Sequence, residues 1–160
     1  MSQRKPFVQT LERLMDQDDQ VVLLLGDVGF SFLEPLMKKY PSRVVNVGIA
    51  EQNMMGVAVG LSHMKYKPYF YTMSNFIILR PLEQVRNDIC YGNANVKLFG
   101  VKGSEAYAFL GMSHNMYNDE DKKILSTLPN IVSYFPTTEE ETINSMESEY
   151  NRQGPAYFQI

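Results

Sequence analysis

The chain has 160 residues, of which 44% are apolar and 21% charged, with a formal net charge of −3 at pH 7; this is the profile of an ordinary globular protein with room for one core. With no concentrated Lys/Arg stripe, neither a nucleic-acid backbone nor an anionic membrane surface is an expected partner. No stretch approaches the roughly 18 apolar residues that a transmembrane helix needs.

In chain order, Phe7, Leu11, Leu14 and Met15 have helical spacing. Val21 to Leu25 is a compact apolar run closed by Gly26-Asp27, as a buried parallel strand would be. Arg43 to Val47 reads as a second strand. From Asn46 the chain passes Gly48 and enters a segment, up to Leu61, that is apolar nearly all round, so a buried helix is expected. Pro68 to Thr72 is a third strand. A helix carrying Leu82, Val85 and Ile89 should start near Pro81, because proline disfavours a helical residue before it. On that helix Glu83 and Arg86 are spaced to pair. Val96 to Val101 and Ile131 to Phe135 are further strands. Thr138 and Glu141 form a capping-box pattern for a helix with Ile143, Met146 and Tyr150, ending before Gly154. Ala156 to Ile160 is the last strand.

This alternation predicts an α/β fold: a doubly wound, mainly parallel sheet of about six strands with helices on both faces. Residues 1–160 read as one domain. Ligands of such sheets bind outside the carboxyl ends of the strands. The loops to inspect are therefore Gly26 to Phe30, Val47 to Glu51, Thr72 to Phe76 and Lys102 to Asn118. Cys90, the one cysteine, has no internal disulfide partner, which suits a reducing compartment. Met1 to Pro6 does not lead into an apolar run, so no secretory signal is read there. The expected location is the cytoplasm.

Few residues in those loops can carry chemistry. Glu51 lies in the first turn of the apolar helix, with Met54, Met55 and Ala58 on the same side. A carboxyl group there is desolvated, and unless it finds a partner, burial favours its neutral acid form. The plainer reading is that it only offsets the positive end of the helix dipole. His114, in Gly111-Met112-Ser113-His114-Asn115, sits in a long loop at the carboxyl edge, where function concentrates, although a lone loop histidine is as readily structural. His63 reads as a surface residue. Asp27 ends the first strand, and Phe76 ends another, where it could stack on a flat ligand or fill the core. The dinucleotide spacing, the phosphate loop and any Cys/His metal cluster are absent, so no metal ligands are expected in this chain.

Taken together, Gly26-Asp27-Val28-Gly29-Phe30, Pro41 through Asn53, Phe76 through Asn87, Leu110-Gly111-Met112-Ser113-His114 and Gly154-Pro155-Ala156-Tyr157-Phe158 resemble the central, pyrimidine-binding domain of transketolases and deoxyxylulose-phosphate synthases. The resemblance implies thiamine diphosphate as cofactor. It implies Glu51 as the glutamate that bonds the aminopyrimidine ring, Phe76 as the aromatic wall, and Asp27 and Ile49 as further cofactor contacts. It implies His114 as the histidine facing substrate. The G-D-G motif that holds Mg2+ and diphosphate is missing, as is a third domain. The resemblance thus implies a split transketolase-like subunit, inactive alone, that completes its site with a diphosphate-binding partner and leaves room for a further partner carrying the C-terminal domain. The implied reaction is two-carbon ketol transfer on a small sugar or sugar phosphate. Lys102 stands about where transketolases have a histidine, and Leu110 about where they have an aspartate. Two alternatives remain at this stage. One is a non-catalytic scaffold or regulatory subunit with the same fold. The other is a receiver-type domain using Asp27 and Lys102, which would need an acidic pair beside Asp27.

Overall fold

The computed structural model describes residues 2–30, 32–103 and 105–160; Ser104, in the long loop singled out above, lies outside them. The helices are α1 (Arg4–Gln17), α2 (Glu34–Lys39), α3 (Glu51–His63), α4 (Ser74–Ile78), α5 (Leu82–Gln84), α6 (Glu120–Leu125) and α7 (Glu139–Asn151). The strands are β1 (Val21–Leu25), β2 (Val44–Asn46), β3 (Lys67–Met73), β4 (Lys97–Val101), β5 (Val132–Tyr134) and β6 (Ala156–Gln159). They form one six-stranded sheet in the order β2-β1-β3-β4-β6-β5, and every neighbouring pair runs parallel. All six expected strands are present, within one or two residues of their expected ends.

A parallel sheet must bury both faces, and the side-chain alternation along each strand divides the core accordingly. Leu23, Leu25, Tyr69, Tyr71, Phe99 and Phe158 pack with Phe7 and Leu11 of α1, Leu36 of α2 and Met146 of α7. Leu24, Phe70, Leu98 and Tyr157 pack on the other face with Met54 of α3, Ile77 of α4, Val85 and Leu125 of α6. Strand order reverses between β1 and β3: β1 leads outward to β2, and β2 crosses back to β3. Ligand crevices of doubly wound sheets open at such a reversal.

Several local expectations are met and others corrected. The Thr138/Glu141 capping box is formed, with Glu141 N–H donating to Thr138 Oγ1 at 3.1 Å. Gly154, three residues past the end of α7, has φ +105°. α5 begins directly after Pro81 and continues as π-helical turns over Val85–Tyr91. Arg86 does not pair with Glu83. It donates to Asn87 Oδ1 at 2.7 Å and lies over the Tyr91 ring. α3 is not buried all round: Met54, Met55 and Ala58 are covered, whereas Gly56, Val57 and Gly60 are exposed. Its apolar composition therefore marks an outer face as well as a core face. The short helices α2, α4 and α6 were not legible as periodicity, since none exceeds six residues.

Away from the crevice, Lys97 is buried at the start of β4. Its ammonium donates to Glu149 Oε2 at 2.9 Å and to the carbonyls of Arg152 and Gly154. Burial pushes the Lys97 ammonium down to about 8, only partly offset by the Glu149 carboxylate. For Glu149, burial acts upward, but bonds from Arg152, Lys97 and Tyr134 outweigh it and hold the group low. This network ties the end of α7 to β4 and β6. Cys90 is buried, which raises its thiol to about 11, so it behaves as a small core residue. Among the described residues no helix is long and apolar enough to cross a membrane.

The buried phenols set the alkaline limit of the fold. Burial raises Tyr71 to about 12, above the ordinary tyrosine value near 10. Between these values the unfolded chain releases a proton that the folded chain keeps, so the stabilisation present below pH 10 is lost as pH rises toward 12. Tyr71→Phe should flatten the fall in urea stability between pH 10 and 12 by about 2–3 kcal/mol relative to wild type. Equal slopes for the two proteins would contradict this.

Candidate functional site

The loops at the carboxyl ends of β1, β2 and β3 meet at the strand-order reversal, and Asn46 joins the first two. Its Oδ1 accepts from the N–H groups of Asp27 (3.1 Å) and Gly48 (2.9 Å), and its Nδ2 donates to Asp27 Oδ1 at 2.9 Å. Asp27 itself takes the left-handed conformation at φ 54°, a conformation Asp tolerates better than most residues. Its carboxylate is thus part of a loop clamp. Among the described residues no group of three or more His, Cys, Asp or Glu side chains converges as metal ligands. Among the described residues the acidic pair that a receiver-type phosphoacceptor needs is not beside Asp27.

Past Gly48, the chain presents Ile49 to solvent, 71% exposed, and enters α3. Glu51 in the first turn is 4% exposed, so the desolvation expected from sequence is present. The partner that such a carboxyl group needs is present as well. Arg80 Nη1 donates to Glu51 Oε1 at 2.7 Å. No described residue bonds Oε2. The carboxyl group faces a shallow depression of about 420 Å³ lined by Ile49, Ala50, Gln52, Asn53 and Arg80.

Phe76 lies in α4, immediately after β3, and is 9% exposed. The Arg80 guanidinium sits 3.7 Å from its ring centre. On its other side the His114 imidazole makes an edge contact at 5.0 Å between centroids. Glu51, Arg80, Phe76 and His114 therefore form one continuous row of contacts across the crevice. Sequence reading named three of the four. Arg80 was visible four residues after Phe76, the spacing that stacks side chains on a helix face.

His114 is placed by its own loop. Glu105–Ser113 forms 3-10 turns broken at Gly111, where φ is +57°. Asn115 Nδ2 donates to the carbonyls of Tyr107 and Gly111, both at 2.8 Å. Asn75 Nδ2 donates to the Ser113 carbonyl at 2.6 Å. Ser113 Oγ donates to the Leu110 carbonyl at 2.6 Å and lies 2.8 Å from His114 Nδ1. With the hydroxyl hydrogen used on Leu110, the Ser113 oxygen is free to accept from an Nδ1–H of His114, an arrangement that would leave Nε2 to a ligand. Gly103 is required beneath this loop, because a Cβ there would overlap Asn115 and the His114 carbonyl.

Beyond the crevice, the carboxyl ends of β4, β6 and β5 enclose a second cavity of about 520 Å³. Arg4, Lys102, Lys122, Tyr107 and Gln159 contribute to its wall. Lys102, conspicuous in sequence only as a replacement, lies here and not in the Glu51 row.

The whole chain, residues 1–160, matches the family described as transketolase, pyrimidine binding domain. The chain belongs to that family. It is 33% identical over 158 residues to one of the subunits of the apulose-4-phosphate transketolase of Phocaeicola vulgatus, covering 98% of this chain and 50% of that protein. It is 28% identical to the 6-deoxy-6-sulfo-D-fructose transketolase subunit SqwH of a Clostridium species, covering 98% of this chain and 48% of the relative. Among solved structures it superposes on one described as "Split gene transketolase, inactive beta4 tetramer", with a TM-score of 0.85 and 31% identity over 99% of this chain and 51% of that one. The chain spans about half the length of these relatives. In this family context the pyrimidine-domain fold expected from sequence is the fold observed.

The loop packing gives a direct expectation. Gly103→Ala should destabilise the protein by about 1–3 kcal/mol and shift the His114 imidazole resonances, because backbone has to move aside. Gly56→Ala, on the open face of α3 with nothing within 4 Å of the added methyl, should be neutral or stabilising by up to about 1 kcal/mol. Unchanged His114 resonances in the Gly103 variant would show that the loop is not held this way.

Proposed function

We propose that this chain supplies the pyrimidine-side half of a thiamine diphosphate site in a split transketolase-like enzyme, and that a diphosphate-binding subunit completes it. The observation that carries the reading is the half-satisfied carboxyl group of Glu51. It is buried at the head of α3, bonded at Oε1 by Arg80 with no described residue on Oε2, and it lines a shallow depression together with Ile49 and Arg80, whose guanidinium stacks on Phe76. That arrangement fits a flat, nitrogen-bearing ring: one carboxyl oxygen for a ring nitrogen and an aromatic side chain alongside. Among the described residues no group of three or more His, Cys, Asp or Glu side chains converges to hold Mg2+, and on this reading the metal and diphosphate contacts fall to the partner.

When bound, thiamine diphosphate supplies a nucleophilic carbon and the electron sink for two-carbon transfer. The chain's own residues orient and control protons. Glu51 Oε2 accepts or shares a proton at the pyrimidine ring nitrogen. Phe76 and Ile49 shield that ring from water, and His114 offers Nε2 as an acceptor on the substrate side. Asp27 and Asn46 hold the loop that carries Ile49. The exposed apolar side chains Phe30, Ile49, Leu79, Phe109 and Met112 all lie on segments following strand ends. Clustered exposed apolar groups mark contact surfaces, and this edge is where a partner would close the site. The Arg4, Lys102 and Lys122 cavity supports an anionic sugar as substrate. Two relatives carry names of anionic ketoses, a phosphate and a sulfonate.

The test is calorimetric titration of thiamine diphosphate and Mg2+ into this chain mixed with a co-encoded diphosphate-binding subunit. The mixture should bind cofactor and consume a ketose donor, whereas neither protein does so alone. Glu51→Gln should cut turnover by about a hundredfold or more, the scale of a lost proton-transfer group. Association of the two proteins without cofactor binding or turnover would replace this reading with that of a scaffold subunit.

A further inference from the structure

Arg80 stands outside every role assigned so far, yet it touches two of the residues that matter. It occupies the turn between α4 and α5, directly before Pro81. Proline keeps the preceding residue from continuing a helix, so the backbone turns out at Arg80 while its side chain runs back over Phe76, four residues earlier. The guanidinium lies 3.7 Å from the Phe76 ring centre and donates from Nη1 to Glu51 Oε1 at 2.7 Å. Its side chain is 43% exposed, whereas that of Glu51 is 4% exposed. As an ordinary surface ion pair such a contact would contribute little. Here one partner is desolvated, and the cation is fixed by a planar stack as well as by charge.

We infer that Arg80 is a positioning residue that sets the Glu51 carboxyl plane for the cofactor's pyrimidine, its own orientation being fixed by the stack on Phe76. Bonding at Oε1 restricts carboxyl rotation and leaves Oε2 for a ligand in the depression that Glu51 and Arg80 line. Stacking on Phe76 couples that orientation to the aromatic wall. A lysine could supply charge at this point but not the planar face that packs on the ring. The inference rests on the thiamine diphosphate reading above.

The experiment measures thiamine diphosphate affinity of the two-subunit complex for wild type, Arg80→Gln, Arg80→Lys, Glu51→Gln and the Arg80→Gln/Glu51→Gln pair. Each is repeated with the 1′-deaza analogue, which lacks the ring nitrogen. Arg80→Gln should weaken binding about tenfold, with Arg80→Lys between it and wild type. Because Arg80 acts through Glu51, the double variant should be no more than about twofold weaker than Glu51→Gln. The deaza analogue should bind wild type and Arg80→Gln alike. Wild-type affinity in Arg80→Gln would overturn the inference. So would an equal loss in the Glu51→Gln background or with the analogue, which makes Arg80 a support of the fold alone. Failure of the wild-type complex to bind thiamine diphosphate would overturn the parent reading, and the inference with it.

Discussion

A carboxyl group held out of water at the head of α3 is the constraint around which this end of the molecule is arranged. An ionised carboxyl group out of water is costly without a hydrogen-bonding partner, so Glu51 at 4% exposure needs a compensating donor. Arg80 provides it at one oxygen only. That donor comes from the turn after α4, which follows β3, whereas α3 follows β2. The ion pair thus spans the crevice at which doubly wound sheets bind ligands. Phe76 and His114 extend the same row. The sheet topology brings these elements together, and the charge pair fixes their relative orientation.

The rest of the crevice rim is built from short polar clamps. Asn46 closes the β1 and β2 loops on each other, and Asn75 and Asn115 fasten the loop that carries His114. These amides satisfy backbone groups that have no ladder partner at strand ends. The result is a rim in which the candidate side chains are supported from behind, with Glu51 bonded at Oε1 and His114 held at Nδ1. The exposed apolar groups along the same edge fit a site completed by another surface.

Much of this was legible in sequence, for physical reasons. Parallel strands buried on both faces leave unbroken apolar runs, so Val21 to Leu25 and its counterparts declared themselves. The Thr138/Glu141 box declared a helix start. The short helices α2, α4 and α6 did not, since one or two turns are too brief for periodicity to accumulate. At the site, Glu51, Phe76, His114, Asp27 and Ile49 were named from loop position and family resemblance. Asp27 is a loop-clamp residue in the geometry seen, and Ile49 is an exposed apolar side chain at the same rim. Arg80 went unnamed because its partner lies 29 residues away, and the nearby proline drew attention to the backbone only. The apolar composition of α3 also misled, since its outer face is exposed, not covered.

The most direct test of the central claim is a crystal structure of this chain with its diphosphate-binding partner, thiamine diphosphate and Mg2+. The account predicts the aminopyrimidine nitrogen within hydrogen-bonding distance of Glu51 Oε2, Arg80 still on Oε1, and Phe76 beside the ring. A cofactor seated away from Glu51, or a Glu51 carboxyl group that bonds Arg80 through both oxygens in the loaded complex, would contradict it.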